Sequence, residues 1–424
     1  MNPEYSQLLI DIQKKSNITV KNTRDLKFLK EEIESLTHKV IGFNTLRRIF
    51  GFLESRTPSV TTLNTLANFL GFASFSGYQH HKLNYEEWYF QQSLNRIIIN
   101  EEITKKDFDL INYGLLNQHN FVYLAYFIVY FIEKKDLKSV VSIFRDVNFN
   151  RASGTQLHKF SQIISVRLSV ISEKDALEVY EACIPIDSFR EYVALPYINY
   201  YHLYSRYFRV LELIEIHSAN SSDILFVDCM KFYRDYYILK KSNLKPPKKP
   251  DGFSDLYSVL KGRYYGSCIL ASGELDLKLK KEILNECKNN RVSYFLEEVV
   301  PALLVIQEYD FLTLLFENYY EDIFEFGVWS SSTTQSIYLV ALSWLNCEKN
   351  ELKIARKNLE FVQISRVEIS YEKYIRLFYQ FILLQLTFKE EDKKANKLAS
   401  SELKSLVSET KFSKFQEISS SYLL

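Results

Sequence analysis

The chain has 424 residues, which is too long for one compact core, because single cores stop growing at about 250–300 residues. Hydrophobic residues make up 47% and charged residues 25%, proportions that exclude disorder over most of the chain. The net charge of +1 excludes strong affinity of the whole chain for a polyanion. However, residues 1–82 hold 11 Lys and Arg against 7 Asp and Glu, a balance of +4, and the remainder holds 42 against 45, a balance of −3. We therefore expect a mildly basic head, residues 1–82, on a mildly acidic body, residues 83–424.

Turn-forming residues are scarce, with only 11 Gly and 8 Pro. Sheet folds need such residues every few positions, so the composition predicts an all-α protein. The five cysteines and seven histidines lack the spacing of disulfide frameworks or metal sites, and we expect no metal ligand. The longest apolar runs, Phe121–Ile132 and Phe378–Phe388, are shorter than the roughly 20 residues that span a bilayer. With no signal before the early charged residues, we expect a cytoplasmic protein without a membrane segment.

Apolar spacing and capping residues predict five helices in the head. They run over Pro3–Lys14, from Asn22 or Thr23 to Leu36, from Gly42 or Asn44 to Gly51, and from Thr57-Pro58-Ser59 to Gly71, with a short fifth helix from Ser74. The third helix carries adjacent arginines, Arg47 and Arg48, and no acidic residue occurs from His38 to Leu53. A basic helix of this kind can enter a DNA major groove, where Arg and Asn read base edges.

Three segments carry a resemblance to a known family: Thr45–Gly51 (TLRRIFG), Pro58–Leu63 (PSVTTL) and Leu66–Gly71 (LANFLG). Together they resemble the Xre or lambda-repressor-like helix-turn-helix family, in which the first of these segments is the recognition helix. The resemblance implies that Phe43, Asn44 and Arg47 face base edges, and that Lys39, Thr45, Arg48 and Arg56 lie near phosphates. The sequence departs from the family in the long turn Thr37–Ile41 and in Gly42, where the family commonly has a serine.

The body repeats a pattern of long apolar stretches followed by short helices led by charged residues. Equivalent positions recur at Val140, Leu177 and Leu211, separated by 37 and 34 residues. This period resembles that of tetratricopeptide-type repeats and predicts an α-α superhelix of helical hairpins. Such repeats form a groove for a peptide or protein partner. A Lys- and Pro-rich loop, residues 240–252, interrupts the array. Seven tyrosines stand at helical spacing and could line that groove, but we expect most of them in the core with an edge towards water: Tyr197, Tyr200, Tyr201, Tyr204, Tyr233, Tyr236 and Tyr237.

The sequence contains no Gly-rich phosphate loop, nucleophile elbow or zinc-protease motif, so we expect neither an enzyme nor a cofactor. The favoured hypothesis is a bacterial DNA-binding transcription regulator whose body senses an effector or dimerises. The layout resembles peptide-responsive regulators that join such a head to tetratricopeptide repeats. A dimer would supply enough phosphate contacts on double-stranded DNA. The alternative is a helical-repeat adaptor, for instance in a bacterial stress or defence system, whose head binds protein. An enzyme, ranked third, would need convergent carboxylates in a deep pocket.

Overall fold

A computed structural model of the chain describes residues 3–54, 56–100, 102–151, 154–324 and 331–424. Helices are the only regular secondary structure in these ranges, which confirms the predicted all-α class. The chain divides into two compact units, Met1–Glu101 and Glu102–Leu424. In the described part of the chain, every helix is either too short or too polar to cross a lipid bilayer.

Over its described residues, the first unit contains five helices. They are α1 (Pro3–Ser16), α2 (Thr23–Thr37), α3 (Phe43–Ile49), α4 (Val60–Leu70) and α5 (Phe75–Asn100). Four of them match the sequence prediction within three residues at each end. The fifth prediction is wrong in length, because α5 is 26 residues long and is not a short helix. Consequently the first unit continues to Glu101, past residue 82, where composition and pattern favoured a boundary.

Apolar faces of these helices form one core. Leu8, Leu9 and Ile12 of α1 pack with Leu26, Leu29 and Ile33 of α2 and with Leu63, Leu66 and Ala67 of α4. Leu36 does not join them: helical spacing places it on the same face of α2 as Ile33, but its side chain is 58% exposed. Between helices, Tyr78 donates a 2.6 Å hydrogen bond to Asp11, and the Lys15 ammonium donates one of the same length to the Phe69 carbonyl. These bonds hold α1 against α4 and α5.

The second unit contains seventeen helices in the described ranges, joined by short loops and by single turns of 3₁₀ or π helix. They are α6 (Lys105–Gly114), α7 (Phe121–Glu133), α8 (Leu137–Asp146), α9 (Gly154–Val170), α10 (Glu173–Cys183), α11 (Asp187–Phe189), α12 (Arg206–His217), α13 (Ser221–Tyr237), α14 (Ser258–Ser272), α15 (Leu277–Asn289), α16 (Val292–Ile306), α17 (Tyr309–Ile323), α18 (Ser331–Glu348), α19 (Leu352–Glu360), α20 (Ile369–Lys389), α21 (Lys393–Thr410) and α22 (Lys414–Ser419). Residues 240–250, within the predicted loop, lie in none of them.

Alternate helices of the second unit contact one another. The contacts run from α14 to α16, from α16 to α18 and from α18 to α20, while α17 and α19 each pack between the two helices that flank them in sequence. This arrangement gives an inner row of helices, whose side chains are the most deeply buried, and an outer row. Of the seven tyrosines at helical spacing, Tyr197, Tyr200, Tyr233 and Tyr237 belong to the core, each at most 4% exposed. Tyr201 and Tyr236 are half-buried, and Tyr204 is 39% exposed, so the prediction is wrong for Tyr204.

The inner row closes on itself. Helix α20 contacts the 3₁₀ turn Tyr200–His202, and α22 contacts α13. Tyr200 stacks on Tyr374 with ring centroids 4.1 Å apart, and Tyr237 at the end of α13 stacks on Phe412 at 5.3 Å. The C-terminal helices therefore complete the core that the segment around Tyr200 begins.

Candidate functional sites

The turn before α3 is held by one carboxylate of α2. Helix α2 ends at Thr37, and the next residue, His38, caps it with a left-handed backbone (φ 53°). Glu34 accepts hydrogen bonds from the Lys30 ammonium at 2.7 Å and from the Ile41 backbone N–H at 2.8 Å. These two bonds hold the pKa of Glu34 below its ordinary value. Since this carboxylate is occupied by Lys30 and Ile41, it fixes the path of the chain into α3.

Helix α3 is short, and a different glycine lies near each of its two ends. Gly42 precedes it without a side-chain cap. At the other end Gly51 adopts φ +82°, a left-handed conformation that glycine takes without strain. Leu46 and Ile49 face the core of the first unit. The helix therefore presents its arginines on the faces that Leu46 and Ile49 do not occupy.

Most of the predicted DNA-binding residues lie on or beside α3, and they differ in how far their side chains are exposed. Asn44 and Arg56 are exposed, and Thr45, Arg47 and Arg48 are half-buried. None of the three arginines pairs with a carboxylate of the described residues. Arg47 donates a long 3.4 Å hydrogen bond to Asn44, so the two side chains predicted to read bases lie next to each other.

Two of the predicted residues have structural contacts as well. Phe43 is partly buried against the core of the first unit, so its ring contributes to packing. Lys39 is exposed and donates a 2.7 Å hydrogen bond to Asn68 on α4, and Asn68 in turn donates to the carbonyls of Phe72 and Ala73. An ammonium has three donors, so Lys39 keeps two for another acceptor.

Helix α4 begins and ends as its sequence predicts. Ser59 accepts a hydrogen bond from the Thr62 backbone N–H at 3.2 Å, which satisfies one of the free donors of the first turn. Gly71 ends the helix with φ +99°. This helix packs against α1, α2 and α5, and so supports the segment that carries α3.

A second candidate site lies in the second unit, where a cavity of about 380 Å³ opens between α9, α14, α16, α20 and the segment before Tyr200. Apolar and aromatic side chains form most of its wall, and five ionisable ones interrupt them. The lining residues are His158, Glu191, Leu195, Pro196, Ile198, Tyr257, Val259, Arg263, Tyr294, Glu297, Glu368 and Tyr371.

Arg263 lies in the cavity wall, and its positive charge is neutralised by Glu298. Its guanidinium donates to Glu298 at 2.7 Å and to the Tyr371 hydroxyl at 3.0 Å, and both charged side chains are at most 4% exposed. Burial raises the pKa of Tyr371 well above its ordinary value, so this hydroxyl stays protonated and donates to Glu298 at 3.2 Å. Tyr200 donates to the other oxygen of Glu298 at 3.4 Å.

Two glycines of α14 bring Arg263 to Glu298. A Cβ atom on Gly262 would lie 2.2 Å from the Phe295 carbonyl oxygen, and one on Gly266 would lie 2.8 Å from the Glu298 carbonyl oxygen. The backbones of α14 and α16 therefore touch, which only glycine permits at these positions. The close crossing sets the guanidinium beside the carboxylate.

Glu368 and Glu297 differ in their partners. Glu368 accepts from His158 at 2.8 Å and from Gln162 at 3.3 Å. Glu297 accepts from Thr334 at 2.9 Å through one oxygen, Oε2, and no basic side chain of the described residues pairs with it. Burial and then the neighbouring Glu298 raise the pKa of Glu297 to about 8. At neutral pH its side chain is thus mostly an uncharged carboxylic acid.

Sequence reasoning did not find this cavity, because its residues come from positions 158 to 371 and form no motif. The nearest signal was the pair Glu297-Glu298 in the middle of an otherwise apolar helix, since adjacent carboxylates there need partners. Within the described ranges, no group of three or more His, Cys, Asp or Glu side chains is placed to hold a metal ion.

The chain matches no protein-family model, no curated protein and no solved structure. Its function is therefore argued from the two sites themselves.

Proposed function

We propose that the protein is a DNA-binding transcription regulator whose first unit contacts double-stranded DNA through α3. The observation that carries the proposal is a set of three arginines, Arg47, Arg48 and Arg56, on and after a helix free of acidic residues. None of them pairs with a carboxylate in the part of the chain that the structure describes. Elsewhere in the protein, basic side chains such as Lys30 and Lys135 form ion pairs. Unpaired arginines on a short helix are suited to phosphates and base edges.

Each predicted residue has a role in this proposal. Arg47 and Asn44, adjacent on α3, offer the donors and the acceptor that recognise base edges in a major groove. Arg48 and Arg56, with Lys39, neutralise phosphates. Thr45 contributes a hydroxyl to a phosphate, while Phe43 fixes the start of the helix by packing against the core.

Fluorescence anisotropy with random-sequence and selected duplexes tests the proposal. Replacing Arg48 and Arg56 together by Ala removes two phosphate contacts, and we expect affinity to fall at least about tenfold on every duplex. Replacing Asn44 by Ala removes a base contact, so discrimination between selected and random duplex should shrink by about 1–3 kcal/mol.

Arg24 is the matched control, because it is an exposed arginine of the same unit at the far end of α2, about 20 Å along the helix from Thr37. Arg24→Ala should bind duplex like the unmodified protein. Circular dichroism shows whether each variant keeps its helices. If the Arg48 and Arg56 variant is folded and binds duplex as tightly as the Arg24 variant, α3 is not the DNA contact.

A protein partner for the first unit is the second candidate, and exposed apolar residues favour it. Val40 is 91% exposed and Val60 72%, and with Leu36 they belong to the segments on either side of α3. Side chains of this kind are buried when a protein binds. Replacing Val40 and Val60 by Ser should then abolish capture of a defined partner. Under the DNA-binding proposal, the same variant keeps its affinity for duplex within about threefold.

A further inference from the structure

Among the described residues that line the cavity of the second unit, Glu297 is the buried carboxyl group with the fewest hydrogen-bond partners. Its Oε2 accepts from Thr334, but Oε1 has no hydrogen bond to the described residues. The other ionisable groups of the wall differ. Arg263 is neutralised by Glu298 at 2.7 Å, Glu368 is paired with His158 at 2.8 Å, and Glu191 is exposed to solvent.

The rest of the wall is apolar and aromatic. Leu195, Pro196, Ile198 and Val259 supply aliphatic surface, and Tyr294 and Tyr371 supply rings. The volume of about 380 Å³ lies near the small end of the range for small-molecule sites. Aromatic faces attract cations, and a carboxyl group with a free oxygen offers a cation its anchor. An anion would meet three carboxyl groups, and the one arginine is already paired.

We propose that this cavity binds a small organic ammonium ion, in which a protonated amine on an apolar body donates a hydrogen bond to Oε1 of Glu297. The amine could belong to a free metabolite or to the amino terminus of a short peptide, since both present the same group. The ligand body lies against Leu195, Ile198 and Val259. Binding needs no DNA, so it extends the protein's chemistry beyond contact with a duplex.

Binding has a proton signature. In the free protein the pKa of Glu297 is about 8, so near pH 7 the group carries a proton. A bound ammonium ion favours the carboxylate, and Glu297 then releases its proton to solvent. The ammonium keeps its own protons, so binding at pH 7 releases about one proton, and at pH 9 almost none. Glu298 and Glu368 oppose the ionisation of Glu297, and Arg263 and Thr334 favour it. The hydroxyls of Tyr294, Tyr338 and Tyr371 also interact with Glu297 electrostatically, and burial raises the pKa of each of them above its ordinary value.

Isothermal titration calorimetry of the full chain without DNA provides the test. The probes are primary amines with aliphatic and aromatic bodies: butylamine, cyclohexylmethylamine, phenethylamine and tryptamine. The neutral and anionic counterparts of phenethylamine are 2-phenylethanol and 3-phenylpropionate. We expect at least one amine to bind in a saturable manner, at least about tenfold more tightly than its alcohol, because a charge-assisted hydrogen bond is lost in the alcohol. The carboxylate should not bind. Repeating the titration in buffers of different ionisation enthalpy counts the protons.

Glu297→Gln keeps the size of the side chain and an acceptor for Thr334, and should weaken amine binding at least about tenfold. The control is Glu317→Gln, the same change at an exposed position of α17, which should leave binding unchanged. A peptide arm identifies the source of the amine: Phe-Leu-amide binding more tightly than every simple amine, with loss on N-acetylation, assigns a peptide terminus, and the reverse order assigns a metabolite.

Three results would overturn the proposal: no amine binds at millimolar concentration, the alcohol or the carboxylate binds as tightly as the amine, or a folded Glu297→Gln variant binds as well as the control. Should that variant fail to fold, the comparison of amine with alcohol on the unmodified protein decides, since equal affinities contradict a contact between the ammonium and a carboxyl group. Because DNA is absent, none of these results depends on the role of α3.

Discussion

At the scale of single residues, the raised pKa of Glu297 couples folding to pH. The value is about 8 in the folded protein against 4.5 for the ordinary group, so the folded state holds this proton more tightly than the unfolded state. The contribution to stability is therefore fully present below about pH 4.5 and is lost as pH rises through 8. This sign is opposite to that of Glu34, whose pKa is lowered by Lys30 and Ile41.

Glu297→Gln tests this coupling, because glutamine stays neutral at every pH. Relative to the unmodified protein, the variant should gain free energy of unfolding from pH 5 to pH 8.5. The urea transition of the second unit, followed at several pH values, measures this difference, and Glu317→Gln should show no such trend. A difference between variant and unmodified protein that is the same at pH 5 and pH 8.5 would contradict the raised pKa.

Single residues of the first unit were predicted well where the chemistry is local. The caps by Asn22, Ser59 and Gly71 follow from neighbours a few positions away. By contrast, the bond from Lys39 to Asn68 and the pairing of Arg263 with Glu298 join residues 29 and 35 positions apart. Neither pair follows a spacing rule, since both depend on how helices cross.

At the scale of elements, the crossing of α14 and α16 depends on Gly262. A methyl group on residue 262 would clash with the backbone carbonyl of Phe295, and a backbone group cannot avoid the clash by changing its side-chain rotamer. Gly262→Ala should therefore destabilise the second unit by about 2–3 kcal/mol. Gly77→Ala is the matched control in α5, where the nearest atom is a serine hydroxyl at 3.4 Å. It should stabilise the first unit by about 0.5–1 kcal/mol.

Chemical denaturation with each unit's transition resolved measures both glycine variants. If Gly262→Ala is as stable as the unmodified protein, the helices separate at no cost and do not position Arg263. The sequence predicted helical hairpins along the body but did not single out α14 or α16. It did not predict their close crossing, since one glycine in a helix has the same local pattern whether a neighbour approaches or not.

At the scale of the whole molecule, the salt dependence of DNA binding reports how many first units engage a duplex. Lys39, Arg48 and Arg56 offer three cations per unit, and each neutralised phosphate contributes about −0.9 to the slope of log K against log salt. We expect a slope of about −3 for one unit and about −5 for two. Fluorescence anisotropy over a salt series measures it, and a slope near zero would rule out phosphate contacts.

The all-helical class followed from composition, whereas the length of α5 and the closure of the inner row did not. Residues 83–100 belong to α5, although few residues in or beside this stretch predict a helix of that length. Closure joins Tyr200 to Tyr374, 174 positions apart, and a repeat pattern reports only neighbouring units.

The meeting of α20 and α22 with the Tyr200 turn and α13 has an evolutionary consequence. An open array of hairpins gains or loses a member by duplication or deletion, because each member needs only the next one. In a closed ring of helices the first and last members must contact each other. An added pair would therefore separate Tyr374 from Tyr200 and Phe412 from Tyr237. Relatives of this protein should therefore keep the same number of helices from α13 to α22, and should vary in length at the loops between them.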